Sequence, residues 1–368
     1  MRIGVLKESA PRERRVALTP DAVVRLVKRG LEVVIERGAG TAAFYHDASY
    51  EEAGATLGDA ATVGAAELVV AVQRPAPDRA ATLREGGVVV ALLGSDGTDA
   101  LEALNRRRIT VLSLERVPRI TRAQSMDVLS SQATVAGYQA VLFGAQHLPR
   151  FLPMLTTAAG SIPPAKALVL GAGVAGLQAI ATARRLGAMV SGFDVRAAAA
   201  EQVESLGAKF IAPQAVTADA ETAGGYAREL AQDQQRMVLE AVAGVIGQSD
   251  LVISTAAIPG RPAPRLITRE MVESMKAGSV IVDVSAETGG NCELTRAGET
   301  VIHRDVTILG PLNLPATMPQ HASQMFARNV QTLIEHLAPK GELVIDLDDE
   351  ITGAMCLAHE GALRQRGA

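Results

Sequence analysis

Short apolar runs alternate with longer amphipathic stretches along most of the chain. Arg2–Leu6, Leu31–Ile35, Leu68–Val72, Val88–Leu93 and Thr110–Leu114 are β-rich runs with the length of buried strands. Helical spacing of apolar residues fills several of the gaps, as at Pro20–Arg29 and Asp99–Arg106. A second series of strand-like runs follows at Ala167–Leu170, Met189–Phe193, Lys209–Ile211, Leu251–Ser254, Val280–Val284 and Val306–Leu309. Strands that alternate with helices imply parallel sheets, because a parallel neighbour is reached only through a long crossover. Two long helical stretches, Ser130–Gly144 and Pro319–Leu337, lie where the chain passes from one series to the other. The expected fold class is α/β, with two doubly wound parallel-sheet domains joined by long helices. A first domain is expected at 1–129 plus 319–368 and a second at 130–318. The alternative is a single cut near residue 160, with the C-terminal stretch in the second domain.

At 368 residues the chain is long for one core, which agrees with two domains. Hydrophobic residues at 48% and charged residues at 21% are ordinary for a globular protein, but aromatics are only 3% and Trp is absent, so Ala, Val, Leu and Ile must build the cores. The net charge of −4 and the scatter of basic residues speak against nucleic-acid binding, and Arg12, Arg14 and Arg15 are too few for a polybasic arm. Cys292 and Cys356 lie outside any CxxC pattern, so no disulfide framework is expected and the cytoplasm is the default compartment. The histidines have no metal-ligand spacing, and no metal site is expected. The longest charge-free apolar stretch, Ala167–Ala183, is broken by three glycines and Gln178. A membrane helix takes ~20 uninterrupted apolar residues, so no span is expected and any membrane role would run through partners. The opening Ile3–Leu6, followed at once by Lys7 and Glu8, suits a first strand better than a signal peptide.

The sharpest local motif is Gly171-Ala172-Gly173-Val174-Ala175-Gly176, between the strand-like Ala167–Leu170 and an Ala-rich helix expected to run to about Leu186. GxGxxG alone is common among glycine-rich turns; a strand before it and a helix after it are what a dinucleotide fingerprint requires. In that context Gly171 permits a tight turn, Gly173 lets the backbone approach a pyrophosphate, and Gly176 permits close packing of helix on strand. The helix N-terminus, headed by Val174, then faces the phosphates. The next strand-like run ends in Asp194, close to the ~20-residue offset of the acid that binds ribose hydroxyls. Such an acid repels a 2′-phosphate and favours NAD over NADP. Val195 and Arg196 follow it in the same expected site, and Arg196 is the group there that could receive a phosphate. The turn Thr255–Gly260 leaves a strand end of the kind where open α/β sheets bind ligands, which adds Ala256; its plain reading is an ordinary Pro-Gly turn. The expected domains are accordingly Rossmann-like.

Several segments together resemble the superfamily of alanine dehydrogenase and the NAD(H)-binding component of proton-translocating transhydrogenase. They are Arg2–Glu8, Arg14–Pro20, the glycine turn, Ile258–Pro264 and Glu287–Asn291, and the resemblance covers nearly the whole chain. Two further regions resemble the transhydrogenase branch. Pro118–Asp127 is similar to the loop that packs against the nicotinamide, whose pattern has Arg, Gln and Asp where Arg119, Gln124 and Asp127 stand. Gly224-Gly225-Tyr226-Ala227 is similar to the mobile loop that folds over bound nucleotide. The resemblance implies that Arg119 and Asp127 fix the nicotinamide carboxamide and ring. Gln124 would hydrogen-bond the nicotinamide ribose and reach toward a partner nucleotide, Ser130 would add a contact, and Gly225 and Tyr226 would form a lid. Read without it, Arg119 and Asp127 are a loop ion pair worth little. It further implies NAD(H) on this chain, NADP(H) on a partner subunit, a homodimer, and a membrane-spanning subunit that carries the proton path. With the sequence ending at Ala368 and no span in it, those partners are expected to be separate chains and this one to be cytoplasmic, peripheral to the membrane.

The alanine dehydrogenase branch carries a lysine in a VKEP-like segment and a histidine after the following strand. Here the two segments read Val72-Gln73-Arg74-Pro75 and Leu93-Gly94-Ser95, with Gln73 in place of the lysine and Gly94 near the expected histidine. Amino-acid oxidation needs a group that takes a proton as hydride leaves. Hydride exchange between two nicotinamides needs none, so the expected activity is direct transfer from NADH to NADP+. The segment Pro311–Thr317 follows the family's Thr-Asn-Leu-Pro-Ser pattern only loosely. Two alternatives remain: a soluble NAD-dependent amino-acid or keto-acid dehydrogenase in which Arg15 binds a carboxylate, and a non-enzymatic NAD(H)-sensing module.

Overall fold

The computed structural model describes residues 1–94, 98–212, 232–258 and 261–364. Six strands come first: β1 (Arg2–Val5), β2 (Glu32–Glu36), β3 (Thr56–Gly58), β4 (Leu68–Gln73), β5 (Val88–Leu92) and β6 (Thr110–Ser113). A hairpin of β7 (Leu155–Thr157) and β8 (Gly160–Ile162) precedes β9 (Lys166–Leu170), β10 (Met189–Phe193) and β11 (Lys209–Ile211). Then come β12 (Leu251–Ser254), β13 (Val280–Asp283), β14 (Thr300–His303) and β15 (Val306–Leu309), and finally β16 (Cys356–His359) and β17 (Ala362–Leu363).

Apart from the β7–β8 hairpin, the strands fall into two sheets, one in each of two units. The first unit, Met1–Gln132 with Pro315–Ala368, holds the order β17-β16-β6-β5-β4-β1-β2-β3. The second, Ala133–Leu314, holds β11-β10-β9-β12-β13-β15-β14. Each is the doubly wound order, and its direction reverses between β1 and β4 in the first unit and between β9 and β12 in the second. The helix Val128–His147 begins in the first unit and continues in the second.

Both faces of both sheets are covered. Ile3, Val5, Val70 and Val72 bury into one core of the first unit and Val69 and Ala71 into another. In the second unit Ala167 and Val169 face one core, and Leu168 and Leu170 the other. A strand buried on both faces needs no polar alternation, which is why these segments read as unbroken apolar runs. The helix Pro319–Leu337 opens on a proline and turns Ala322, Phe326, Val330, Leu333 and Leu337 inward at spacings of three and four. Among the described residues no helix is long and apolar enough to cross a membrane.

The expectation of parallel sheets holds for the centres and fails at the edges. β14 runs antiparallel to β15, and β16 antiparallel to β6. Both edge hairpins turn on two residues with positive φ, Arg304 and Asp305 at +46° and +60°, and Glu360 and Gly361 at +49° and +88°. That is the backbone of a two-residue hairpin turn, usually written Asn-Gly or Asp-Gly. Arg-Asp and Glu-Gly do not carry that signature, and β3 is too short to stand out by pattern.

Candidate functional site

β9 runs into the switch point of the second sheet and ends at the glycine turn. Gly171 has a φ of +93°, and a Cβ there would lie 2.9 Å from Thr255 Oγ1 and 3.1 Å from the Ala256 nitrogen. A Cβ on Gly176 would lie 1.7 Å from the Gly171 carbonyl oxygen, so the first turn of the helix Val174–Arg185 packs on the strand end through this glycine. Gly173 differs from both, because a Cβ there would meet nothing within 4 Å. The chain itself therefore requires bareness at Gly171 and Gly176, whereas at Gly173 it leaves room for something outside the protein. With exposed Gly173 and Val174 at the head of a helix, the turn fits a dinucleotide pyrophosphate.

Asp194 sits at the end of β10, buried, with both carboxylate oxygens engaged. Oδ2 accepts from the Ala172 N–H at 2.7 Å and from Arg196 Nη2 at 2.9 Å. Oδ1 accepts from Arg196 N–H at 2.8 Å and from Arg196 Nε at 2.9 Å. A carboxylate has about four acceptor positions, so a ribose hydroxyl would take the place of an Arg196 donor. Val195 is half-buried beside it and packs on the core. The first unit repeats this latch: Glu36, at the end of β2, accepts from the Lys7 N–H at 2.8 Å and pairs with Arg79.

The second unit adds residues that the motif does not contain. Thr255 Oγ1 donates to the carbonyls of Gly171 at 3.1 Å and Leu170 at 3.2 Å, which ties the loop after β12 to the glycine turn. Ala256 is half-buried next to it. Gly137, in the helix Val128–His147, would place a Cβ 2.0 Å from the Ala175 carbonyl, so that helix touches the first turn of the helix Val174–Arg185. Asn291 and Ser285 hold Ala256 from the inner side. Gly225 and Tyr226 and the Pro259-Gly260 turn lie outside the described residues.

Arg119, Gln124, Asp127 and Ser130 all belong to the first unit. Thr121–Met126 is a 3-10 helix in which Ala123 and Met126, three apart, are buried, while Gln124 is exposed. Asn329 Nδ2 donates to the Ser125 carbonyl at 2.7 Å and holds the turn from behind. Asp127 caps the helix Val128–His147: it accepts from the Ser130 N–H at 2.9 Å and from Ser130 Oγ at 2.6 Å. Arg119 is exposed on the segment leading in.

The first unit also holds a closed charge network. Arg15 donates through Nε and Nη2 to the two oxygens of Glu13 at 2.8 and 2.6 Å, and through Nη1 to Gln132 Oε1 at 2.8 Å. Gln73 Nε2 donates to Glu13 Oε2 at 2.9 Å. Glu8 accepts from the N–H groups of Val72 and Gln73. Burial and the nearby Glu13 charge push Glu8 up to about 8, while at Glu13 burial is outweighed by the Arg15 fork, which holds it at about 2. Glu8, Glu13 and Arg15 border a cavity of about 240 Å³ with Lys7 and Thr41, in the first unit and not at the glycine turn.

The chain is similar to known proteins along nearly its whole length. The family model described as alanine dehydrogenase/PNT, N-terminal domain, matches residues 4–136, and the one described as alanine dehydrogenase/PNT, C-terminal domain, matches residues 140–366. The chain is 46% identical to an NAD(P) transhydrogenase subunit alpha chain of Rhodospirillum rubrum, over 99% of this chain and 97% of that one. It is 31% identical to alanine dehydrogenase 2 of Staphylococcus aureus, over 87% and 82% of the two chains. The crystal structure of a transhydrogenase from Sinorhizobium meliloti superposes with a TM-score of 0.86 at 44% identity, over 99% and 98% of the chains.

Proposed function

The chain belongs to the alanine dehydrogenase/PNT family, and from that premise we propose that it is the NAD(H)-binding subunit of an NAD(P) transhydrogenase. Bound NADH supplies a hydride, and NADP+ on a partner subunit receives it. The chain's own residues bind, orient and exclude water. The turn at Gly171, Gly173, Val174 and Gly176 takes the pyrophosphate on a helix N-terminus. Asp194 takes the adenosine ribose in exchange for donors of Arg196. Arg119 and Asp127 hold the nicotinamide, and Gln124 holds its ribose and reaches the partner nucleotide. Ser130 holds the Asp127 carboxylate through its N–H and hydroxyl, which lowers the entropic cost of alignment.

The observation that carries the choice of branch is the closed network around Arg15. An enzyme oxidising an amino acid needs a group to take a proton as hydride leaves, the place of the lysine where Gln73 stands. Here the Arg15 fork is filled by Glu13 and Gln132, and Gln73 is a hydrogen-bond donor to Glu13. Carbon-to-carbon hydride transfer needs no such groups.

The reading includes a second copy of the chain and a membrane-spanning subunit through which protons move, with this chain on the cytoplasmic side. Phe151, Met154, Ile162 and Met189 leave an exposed apolar surface around the β7–β8 hairpin, which suits a contact between copies.

Replacing Gln124 with Asn shortens the side chain by one methylene without changing its chemistry. In the complex with an NADP-loaded partner subunit, the variant is expected to bind NADH as the wild type does and to transfer hydride ~100-fold more slowly, the cost of a displacement on the order of 1 Å. Titration gives the affinity and stopped-flow absorbance the rate; an unchanged rate would remove Gln124 from its role.

A further inference from the structure

The segment that leaves β12 is held by two side chains from well beyond it in sequence. Asn291 is fully buried, and its Nδ2 donates to the Ala256 carbonyl and to the Pro264 carbonyl, both at 2.8 Å. Its Oδ1 accepts from Ser254 Oγ at 2.7 Å, so the side chain joins the strand end to both sides of the loop. Ser285 Oγ donates to the same Ala256 oxygen at 2.9 Å. Two donors thus fill the two acceptor positions of one carbonyl.

A trans peptide is planar, with its C=O and the following N–H on opposite edges. Turning the Ala256 oxygen toward Asn291 and Ser285 therefore turns the Ala257 N–H away from them, and Ala257 is exposed. The order β10-β9-β12 assigns parts of a bound dinucleotide: adenosine at the end of β10, pyrophosphate at β9, and the nicotinamide half at β12.

We propose that Asn291 is a positioning residue for the nicotinamide half of the dinucleotide. With Ser285 it locks the 256–257 peptide so that the Ala257 N–H donates to an oxygen of that half. Without the clamp the peptide turns freely, and the donor is lost even though the glycine turn is intact. The inference rests on the reading of the second unit as the NAD(H) site.

The test is titration of the full chain with NADH and with ADP-ribose, which keeps the adenosine and pyrophosphate and lacks the nicotinamide. Asn291→Ala is expected to weaken NADH about tenfold, or ~1.4 kcal/mol, and ADP-ribose less than about twofold. Ser285→Ala removes one of the two donors and is expected to weaken NADH about threefold with ADP-ribose unchanged. A role in stability alone would lower the melting temperature and weaken both ligands in parallel. Parallel losses, or no loss for NADH, overturn the proposal. If Asn291→Ala does not fold, Ser285→Ala decides by the same comparison. A wild-type chain that binds neither ligand overturns the reading beneath the proposal, and the proposal with it.

Discussion

Alanine in place of Gly176 is expected to weaken NADH binding ~100-fold. The added Cβ would stand 1.7 Å from the Gly171 oxygen and 2.8 Å from its carbon, both backbone atoms that no side-chain rotation relieves. Either the helix Val174–Arg185 lifts off β9 or the turn opens, and both outcomes spoil the phosphate cradle. Overpacking of this kind costs up to ~3 kcal/mol, which corresponds to a loss of affinity of up to ~100-fold. Gly173→Ala is the matched control. Its φ of −77° suits alanine and the Cβ meets nothing within 4 Å, so the fold should keep its melting temperature. A loss of NADH affinity there reads directly on the nucleotide's approach to the turn. Calorimetry with NADH and thermal melts of the two variants separate these effects. Wild-type affinity in Gly176→Ala would mean that the turn holds no phosphate.

The second large effect is expected from the buried pair in the first unit. The side chains of Arg15 and Glu13 are 3% and 0% exposed. Glu13→Gln leaves a buried guanidinium without its counter-charge, which costs ~3–5 kcal/mol and lowers the unfolding temperature of that unit on the order of 10 °C. Glu13 is held at about 2 against an ordinary 4.5, so its stabilisation is present above 4.5 and is lost as pH falls toward 2. Glu8 is pushed up to about 8 from 4.5, so its contribution is complete below 4.5 and is lost as pH rises to about 8. Lys7, Glu13 and Arg15 are the charged groups that share its cavity. Melting curves across pH should fall on both sides of this range. Glu8→Gln, which mimics the protonated acid, should flatten the alkaline side. A Glu13→Gln variant that melts like the wild type would mean that the fork contributes nothing.

Local features of the site are visible in sequence, and features made by folding are not. The glycine turn, Asp194 and the strands behind them could be read because each is a short contiguous pattern whose physics is local. The central strands stood out because two-sided burial makes them apolar throughout. Asn291 was visible only as the end of the segment Glu287–Asn291, with no role attached, and Ser285 gave no signal, since their partners Ala256 and Pro264 meet them only after the chain has crossed to the next strand. Gly137 looks like a neutral residue in a helix until Ala175 packs against it. The edge hairpins at Arg304-Asp305 and Glu360-Gly361 use turn residues of low propensity, held there by the sheets they close. The surroundings of Arg15 were equally out of reach, because a basic residue in a loop can serve a substrate or a salt bridge, and its partners Glu13 and Gln132 meet it only in the folded chain.

Direct hydride transfer is tested most simply by following the label. The chain is loaded with NADH carrying deuterium at the transferred C4 position and mixed in ordinary water with an NADP+-loaded partner subunit of a transhydrogenase. In a single turnover the deuterium should appear in NADPH, one for each NADH oxidised, with none lost to solvent. NADPH carrying solvent hydrogen, or tight NADH binding with no transfer at all, would contradict a direct exchange between two nicotinamides.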